Sequence, residues 1–212
     1  MASAASAVRV GLLGGSFDPP HRAHLALARC ALRALSLDAV WLIPAGQPWQ
    51  RAPLRATAEQ RWDMLQLLLE GASGLCACDL ELRRDGPSYT VDTVRELLRR
   101  HHTAAFTLIV GADQLANLCT WHDWPALAAM VDVAAAARPG HALEPPAALL
   151  QALRQSGHTL RQLPLSPLSL SATAARQARG PALRAIVPAA VARYIEQHHL
   201  YSNQPAPPHG HP

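Results

Sequence analysis

Two histidines three residues apart, His21 and His24, follow a segment rich in glycine and proline, residues 14–20, with the sequence GGSFDPP. Glycine allows the backbone to approach a ligand closely, and the Asp-Pro-Pro run turns the chain toward a helix predicted to begin near Arg22. A helix N-terminus favours anions, and side chains three residues apart on a helix can face the same point. The segment therefore indicates a phosphate-binding loop.

Two other interpretations of this loop stay open. The first is an ordinary tight turn with two surface histidines. The second is one half of a zinc site, although the neighbouring sequence supplies no recognisable set of further zinc ligands. The glycines do not form the pattern G-x-G-x-x-G, so a dinucleotide-binding fingerprint is not supported.

The composition narrows the chemistry further. The chain has 212 residues and a formal net charge of +4, and all 19 of its basic residues are arginine. The absence of lysine excludes a Walker A loop and Schiff-base catalysis, so arginine, histidine and backbone amides must bind any phosphate. The arginines are scattered along the sequence, which favours small anionic ligands over a nucleic-acid partner.

A second candidate anion site lies near the C-terminal end, in residues 168–176. There Ser171 is predicted to cap a helix, with Thr173 in its first turn and Arg176 on the following turn. Hydroxyls, backbone amides and a guanidinium suited to bidentate contact would converge on a polyphosphate. A capped helix with a solvent-exposed arginine is the alternative.

The elements that must position these residues alternate between strands and helices. This alternation is typical of a doubly wound parallel sheet, so we predict a single α/β domain with a Rossmann-like fold. In such sheets ligands bind beyond the carboxyl ends of the strands, where residues 14–24 and 111–113 are expected. The predicted strands are residues 8–13, 39–43, 75–82, 106–110, 131–137 and 159–163, and the predicted helices are residues 23–36, 57–70, 89–100, 124–130, 144–155 and 188–198.

The predicted domain spans residues 8–201, between a flexible N-terminus, residues 1–7, and a disordered tail, residues 202–212. The N-terminal residues lack the features of a secretion signal, and no apolar run has membrane-spanning length, so we expect a cytoplasmic protein without a membrane partner. The four cysteines are expected to be free thiols in a reducing compartment, and a metal role for Cys76 and Cys78 is the alternative.

Residues 14–24 resemble the signature loop of the HxGH nucleotidyltransferase superfamily, in which two histidines bind the phosphates of ATP. Ala23 departs from this pattern, because the family usually has glycine between the histidines; we expect a slightly tighter pocket. Residues 171–176 resemble the superfamily's C-terminal Ser-x-Thr-x-x-Arg motif, which contacts the β and γ phosphates. The resemblance implies catalytic roles for His21, His24 and Arg176. It also implies that ATP is bound by Gly14, Gly15, Ser16, Phe17, His21, His24, Gly111, Asp113, Ser171, Thr173 and Arg176.

Motifs in the middle of the chain resemble those of the bacterial nicotinate-nucleotide adenylyltransferases, and the similarity runs from about residue 8 to residue 201. The resemblance implies that the ring of Trp121 stacks on nicotinate and that backbone amides near Thr90 and His122 bind its carboxylate. Such amides reject a carboxamide, because its N–H groups would face them unpaired. The motifs are residues 87–90 (PSYT), 111–113 (GAD), 120–122 (TWH) and 138–140 (RPG). The implied acceptor-binding residues are Arg51, Tyr89, Thr90, Trp121, His122 and Arg138.

Several of these residues also have an ordinary structural interpretation. Trp121 could be a core residue, Asp113 could cap the next helix instead of accepting hydrogen bonds from ribose, and Arg138 could be solvent-exposed. The loop at residues 44–51 departs from the family, because it lacks the usual asparagine and ends in Trp-Gln-Arg. In this loop Trp49 is expected either to cover the acceptor site or to pack.

The resemblance implies adenylyl transfer from ATP to nicotinate mononucleotide, which gives nicotinate adenine dinucleotide and diphosphate in NAD biosynthesis. Mg²⁺ is expected to accompany ATP, bound mainly by phosphates and water, with Asp18 either in its outer shell or only a turn residue. No resident metal site is expected, and homo-oligomerisation stays open. The alternatives are a related transferase with another acceptor, such as nicotinamide mononucleotide or phosphopantetheine, and a non-catalytic nucleotide-binding module.

Overall fold

A parallel sheet of six strands forms the centre of the computed structural model, which describes residues 7–48, 53–137, 142–165 and 170–202. The strand order is β3-β2-β1-β4-β5-β6, and all neighbouring strands are parallel. The doubly wound α/β fold predicted from the sequence is therefore confirmed. The strands are β1 (Val8–Gly15), β2 (Ala39–Pro44), β3 (Leu75–Ala77), β4 (Ala104–Gly111), β5 (Asp132–Ala136) and β6 (Leu160–Leu163).

Helices follow most of the strands, within a few residues of the predicted bounds. Two of them, α4 and α8, were not among the predicted helices, because with five and seven residues they are too short for a helical apolar period to be recognised. The helices are α1 (Arg22–Ala34), α2 (Ala58–Leu69), α3 (Thr90–Arg100), α4 (Ala112–Ala116), α5 (Trp124–Ala128), α6 (Ala147–Gln155), α7 (Ala172–Gln177), α8 (Gly180–Ile186) and α9 (Ala189–Gln197), and a 3-10 turn covers Leu118–Thr120. In the described part of the chain, none of them is long and apolar enough to cross a membrane.

Two hydrophobic cores cover the two faces of the sheet. Successive residues of a strand point to opposite faces, so Leu12 belongs to one core and Leu13 to the other. Helices α1, α2 and α9 pack on the face of Leu13, and α3, α5 and α6 pack on the face of Leu12. Helix α1 turns one apolar face to the sheet, with Ala28 fully buried and Leu25 and Leu32 packed beside it.

The predicted strand at residues 75–82 is wrong beyond Ala77. The last bond to β2 runs from the Cys78 N–H to the Leu42 carbonyl (2.9 Å), and β2 itself ends at Pro44. Pro44 has no N–H with which to continue the ladder, so the chain turns, and the N–H groups of Leu82 and Arg83 donate to the Asp79 carbonyl at 2.9 and 3.2 Å. This turn directs residues 81–90 back toward the carboxyl edge of the sheet.

The carboxyl ends of the central strands meet at one edge. Gly15 is in register with Pro44, and Gly111 is in register with Ala136. The strand order reverses direction between β1 and β4, which is where doubly wound sheets bind their ligands. The loops after these two strands therefore define the candidate site.

Candidate active site

The loop after β1 places the two histidines side by side. His21 is the N-cap of α1 and His24 lies in its first turn, so their imidazole rings stack with centroids 3.7 Å apart. The ring of Phe17 contacts His24 edge-on at 4.8 Å. A side chain added at Gly14 would meet no heavy atom of the described residues within 4 Å. The loop thus presents open backbone and two imidazoles at a helix N-terminus.

The hydrogen bonds of the two histidines differ. The backbone N–H of His21 donates to Nδ1 of His24 at 3.1 Å, so neutral His24 carries its proton on Nε2. The ring of His21 is buried, and its Nδ1 has no partner within the described part of the chain. Burial lowers the pKa of His21 from 6.5 to about 4. Both rings are consequently suited to donate one N–H each to a phosphate that displaces water from the loop.

Helix α7 brings the second predicted motif to the same loop. The predicted cap is confirmed, since Ser171 Oγ accepts from the Ala174 N–H at 3.1 Å. One nitrogen of Arg176 donates to the Asp18 carbonyl (2.8 Å) and the other donates to Thr173 Oγ1 (3.0 Å). Two motifs 158 residues apart therefore meet at the phosphate loop.

Asp18 anchors this loop from inside the protein. Its carboxylate accepts hydrogen bonds from the backbone N–H groups of Arg55 (2.8 Å) and Ala56 (3.2 Å). The Tyr201 hydroxyl donates to the same carboxylate at 2.6 Å. Burial and the charge of Asp18 raise the pKa of Tyr201, which keeps the hydroxyl protonated as a donor. Because Asp18 is buried with three donors, the geometry supports its role as a turn residue over that of an outer-shell metal ligand.

Arg61 is a functional candidate that the sequence analysis missed. Its guanidinium, 1% exposed, donates to the carbonyls of Ser16 (3.0 Å) and Ala45 (2.8 Å). It thereby ties the loop after β1 to the loop after β2. A signal was present in the sequence, because Arg61 falls on the apolar stripe of α2 together with Leu65 and Leu68, three to four residues apart.

The predicted acceptor residues cluster around the start of α3. Thr90 is the first residue of α3 and Tyr89 is its N-cap. The ring of Tyr89 stacks on exposed His122, with centroids 4.2 Å apart. Trp121 is half-buried against the core, and its indole N–H has no partner among the described residues. The structure thus brings together the 87–90 and 120–122 motifs, which are separated by some thirty residues of sequence.

Gly111 and Asp113 lie at the start of α4, at the carboxyl end of β4. Gly111, and not Asp113, is the N-cap of this helix, so the capping interpretation of Asp113 is wrong. Asp113 is exposed in the first turn, where a carboxylate interacts favourably with the helix dipole. Its position beside the β1 loop suits contact with a ribose.

Three of the predicted positions lie outside the described residues: Arg51, Trp49 and Arg138. The four cysteines are unpaired, and the described residues contain no group of three or more His, Cys, Asp or Glu placed to hold a metal ion.

Comparison with known proteins identifies the family. Residues 12–178 match the family described as cytidylyltransferase-like. A protein of Bordetella petrii named "probable nicotinate-nucleotide adenylyltransferase" is 52% identical over 91% of this chain and 98% of its own length. A protein of the same name from Methylibium petroleiphilum is 41% identical over 95% and 94%.

A solved structure shares the fold. The nicotinic acid mononucleotide adenylyltransferase of Plasmodium falciparum, complexed with NaAD, superposes with a TM-score of 0.74 over 91% of this chain and 97% of that one, at 18% identity. At that identity the likeness shows the fold alone. From the family match and the sequence identities to its relatives, the chain belongs to the cytidylyltransferase-like family and, within it, to the nicotinate-nucleotide adenylyltransferases.

Proposed function

We propose that this chain transfers the adenylyl group of ATP to the 5′-phosphate of nicotinate mononucleotide, giving nicotinate adenine dinucleotide and diphosphate. The observation that carries the proposal is the bond from Arg176 to the Asp18 carbonyl, which brings a guanidinium to the loop of the two stacked histidines. Three cationic or N–H-donating side chains then surround one point at a helix N-terminus. That arrangement fits the triphosphate of a nucleotide.

On the ATP side, the histidines and Arg176 have different tasks. His24 donates from Nε2 and His21 donates from its ring to the α and β phosphates, beside the open backbone at Gly14. Arg176, with Thr173 and the amides near Ser171, holds the β and γ phosphates that leave as diphosphate. Gly111 and Asp113 contact the nucleoside, while Gly15, Ser16 and Phe17 shape the loop beneath it.

On the acceptor side, Trp121 stacks on the nicotinate ring. Backbone N–H groups at Thr90 and His122 bind its carboxylate, and Tyr89 borders the same space through its contact with His122. Arg51 and Arg138 supply positive charge for the acceptor phosphate. Amide donors favour a carboxylate, because a carboxamide would leave one of them unpaired.

The reaction needs no protein nucleophile. An oxygen of the acceptor phosphate attacks the α-phosphorus of ATP in line, and the bond from that phosphorus to the bridging oxygen of the β phosphate breaks. The acceptor is already an anion, so catalysis consists of positioning and of neutralising the charge that develops on the α phosphate and on diphosphate. His21, His24 and Arg176 are placed for that neutralisation.

Nucleotidyltransferases of this kind generally use a divalent metal. We propose that the substrate is ATP complexed with Mg²⁺, which takes its ligands mainly from phosphate oxygens and water. The described side chains fit a metal ion that is bound by ATP instead of by the protein, since the carboxylate of Asp18 already accepts three hydrogen bonds. The proposed partners are thus small molecules.

The test is diphosphate release by the purified protein. Wild-type protein is incubated with magnesium and either ATP or CTP, together with nicotinate mononucleotide, nicotinamide mononucleotide or phosphopantetheine. We expect the highest kcat/KM for ATP with nicotinate mononucleotide. Faster release with another acceptor would assign the chain to a related transferase, and no release with any acceptor would leave a non-catalytic nucleotide-binding module.

A further inference from the structure

Glu81 is a buried carboxylate close to the acceptor site. It is 7% exposed and accepts a hydrogen bond from Thr93 Oγ1 at 2.7 Å. Burial raises the pKa of Glu81, and hydrogen bonds from Thr93 and Ser88 oppose that rise. The carboxylate therefore fixes the hydroxyl of Thr93 in the first turn of α3 and interacts with that of Ser88 in the turn before it.

Ser88 connects Glu81 to the loop after β2. Its Oγ accepts from the backbone N–H groups of Gly46 (3.0 Å) and Gln47 (3.2 Å), while its own N–H donates to the Gln47 carbonyl at 3.0 Å. Since the hydroxyl oxygen accepts from two amides, its proton points away from them, and its interaction with the Glu81 carboxylate lowers the pKa of that group. The bonds of Ser88 thus join the β2 loop to the turn before α3, beside the Glu81 carboxylate.

Gly46 shows how closely these loops approach each other. A Cβ at Gly46 would lie 2.3 Å from the carbonyl oxygen of Glu81 and 3.3 Å from Ser88 Oγ. Glycine at this position lets the backbone of the β2 loop lie directly against Glu81.

We propose that Glu81 is a positioning residue for the acceptor: through Ser88 and Thr93 it holds the β2 loop and the N-terminus of α3 in one arrangement. The inference rests on the proposed function, in which amides at the start of α3 bind the pyridine carboxylate. The hydroxyl of Thr93 also accepts from Arg84 at 3.0 Å, so it is fixed from both sides. Glu81 does not contact the substrate itself.

The variant that tests this is Glu81→Gln. A glutamine can accept from one hydroxyl through its oxygen, but its NH₂ group faces the other, so one hydroxyl must turn away. We expect KM for nicotinate mononucleotide to rise about tenfold, and the preference in kcat/KM for nicotinate over nicotinamide mononucleotide to fall about tenfold. KM for ATP should change less than about twofold, since the ATP loop does not contact Glu81.

Two further variants distinguish positioning from general stability. Glu96→Gln is the matched control, because Glu96 is an acidic residue of α3 whose carboxylate accepts from Arg84 and Arg100 and not from Ser88 or Thr93; it should leave both KM values unchanged. Ser88→Ala removes the link while leaving Glu81 in place, and it should reproduce the selective rise in acceptor KM. The double variant, Ser88→Ala with Glu81→Gln, should have nearly the same KM for the acceptor as either single variant, because the two residues act through the same contacts.

Each outcome of these measurements either supports or overturns the positioning role of Glu81. The proposal is overturned if Glu81→Gln raises both KM values in parallel, if it alters only the melting temperature, or if its effect adds fully to that of Ser88→Ala. If Glu81→Gln does not fold, Ser88→Ala alone decides, by raising acceptor KM selectively or not. If wild-type protein prefers a different acceptor, the proposed function fails, whereas a selective rise in KM for that acceptor would still support the role of Glu81.

Discussion

His24 accepts a backbone hydrogen bond on Nδ1, and this bond decides what the rest of its ring can do. Protonated imidazole has no acceptor, so the bond requires the neutral ring with Nε2–H as its donor. His21, stacked on it, is kept neutral by burial. With both rings neutral, the phosphate loop offers N–H dipoles, and Arg176 provides the full positive charge.

Replacement of His24 by alanine should reduce kcat by about 10²- to 10³-fold, the usual effect of removing one donor to a developing charge. The fold should be retained, because His24 is only half-buried. The measurement is diphosphate release at saturating substrates, with circular dichroism to verify folding. His102→Ala, at an exposed position outside the loop, is the control and should keep wild-type turnover. Near-normal turnover of the His24 variant would exclude its proposed role.

The pKa of His21 makes stability depend on pH. Its pKa is about 4 in the folded protein, whereas an unperturbed histidine, as in the unfolded chain, has a pKa of 6.5. Between these two pH values the unfolded chain binds a proton that the folded chain does not. The free energy of unfolding must then fall as pH falls from 6.5 toward 4, by about 2–3 kcal/mol at pH 4.5. Urea unfolding at pH 7 and pH 4.5 should show this loss in wild-type protein.

His21→Asn should remove that part of the pH dependence, because asparagine does not titrate. His102→Asn, at an exposed site, should retain the wild-type dependence. Equal loss of stability at low pH in wild-type protein and the His21 variant would show that other groups are responsible.

Among the elements, α2 contributes more than packing, since Arg61 joins the ends of β1 and β2. Its two carbonyl partners belong to loops that follow neighbouring strands, one for each substrate in the proposed reaction. Burial lowers the pKa of Arg61, and the charges of Asp18 and Glu59 oppose this. Its position on a helix, rather than in a loop, fixes both loops to the rigid core.

Arg61→Lys should destabilise the protein by about 2 kcal/mol, because both carbonyls accept from one terminal nitrogen, Nη1, which the shorter lysine side chain cannot place at the same point, so that a buried carbonyl loses its donor. Both substrates should also bind more weakly, in contrast to the acceptor-selective effect expected at Glu81. Urea unfolding and steady-state kinetics measure the two effects. Arg29→Lys, an exposed position on α1, serves as the matched control. A selective effect on one substrate would contradict the linkage.

The elements also show what the sequence could predict. Strands β1, β2 and β4 and helix α1 were predicted because each has its own apolar periodicity. The end of β3 could not be predicted, since it depends on where β2 ends. Glu81 was missed for a similar reason: an acidic residue between two leucines, Leu80 and Leu82, has the alternation of a strand with its polar side chains exposed, and its partner Thr93 lies 12 residues away. The phosphate loop could be predicted because its chemistry is contained in eleven consecutive residues.

On the scale of the whole molecule, the longest-range contacts converge on the phosphate loop. Asp18 bonds to residues of the β2–α2 loop, Arg176 of α7 bonds to its carbonyl, and Tyr201 bonds to its carboxylate. The backbone carbonyl of Tyr201 in turn accepts a hydrogen bond from Arg179. The C-terminal helices are thus structural supports of a site whose best-recognised motif lies in the first 24 residues.

Tyr201→Phe should lower the free energy of unfolding by about 2 kcal/mol, because it removes a buried donor to a carboxylate. Tyr194→Phe is the matched control, because the Tyr194 hydroxyl also donates to a carboxylate, that of Asp63, but at an exposed position. This substitution should lower the free energy of unfolding by less than about 1 kcal/mol. Urea unfolding of both variants at pH 7 gives the comparison. Equal losses would show that burial of the Asp18 bond has no special importance.

The bond between Asp18 and Tyr201 spans 183 positions of the chain, and this has a consequence for synthesis. The ribosome releases the phosphate loop long before it has made residue 201, so during most of translation the Asp18 carboxylate lacks one of its three partners. A nascent chain that stops within α9 would contain both histidines and Arg176 and still have an unsupported loop. The loop of the two histidines thus receives its full set of supporting bonds only when Tyr201, beyond α9, has left the ribosomal tunnel.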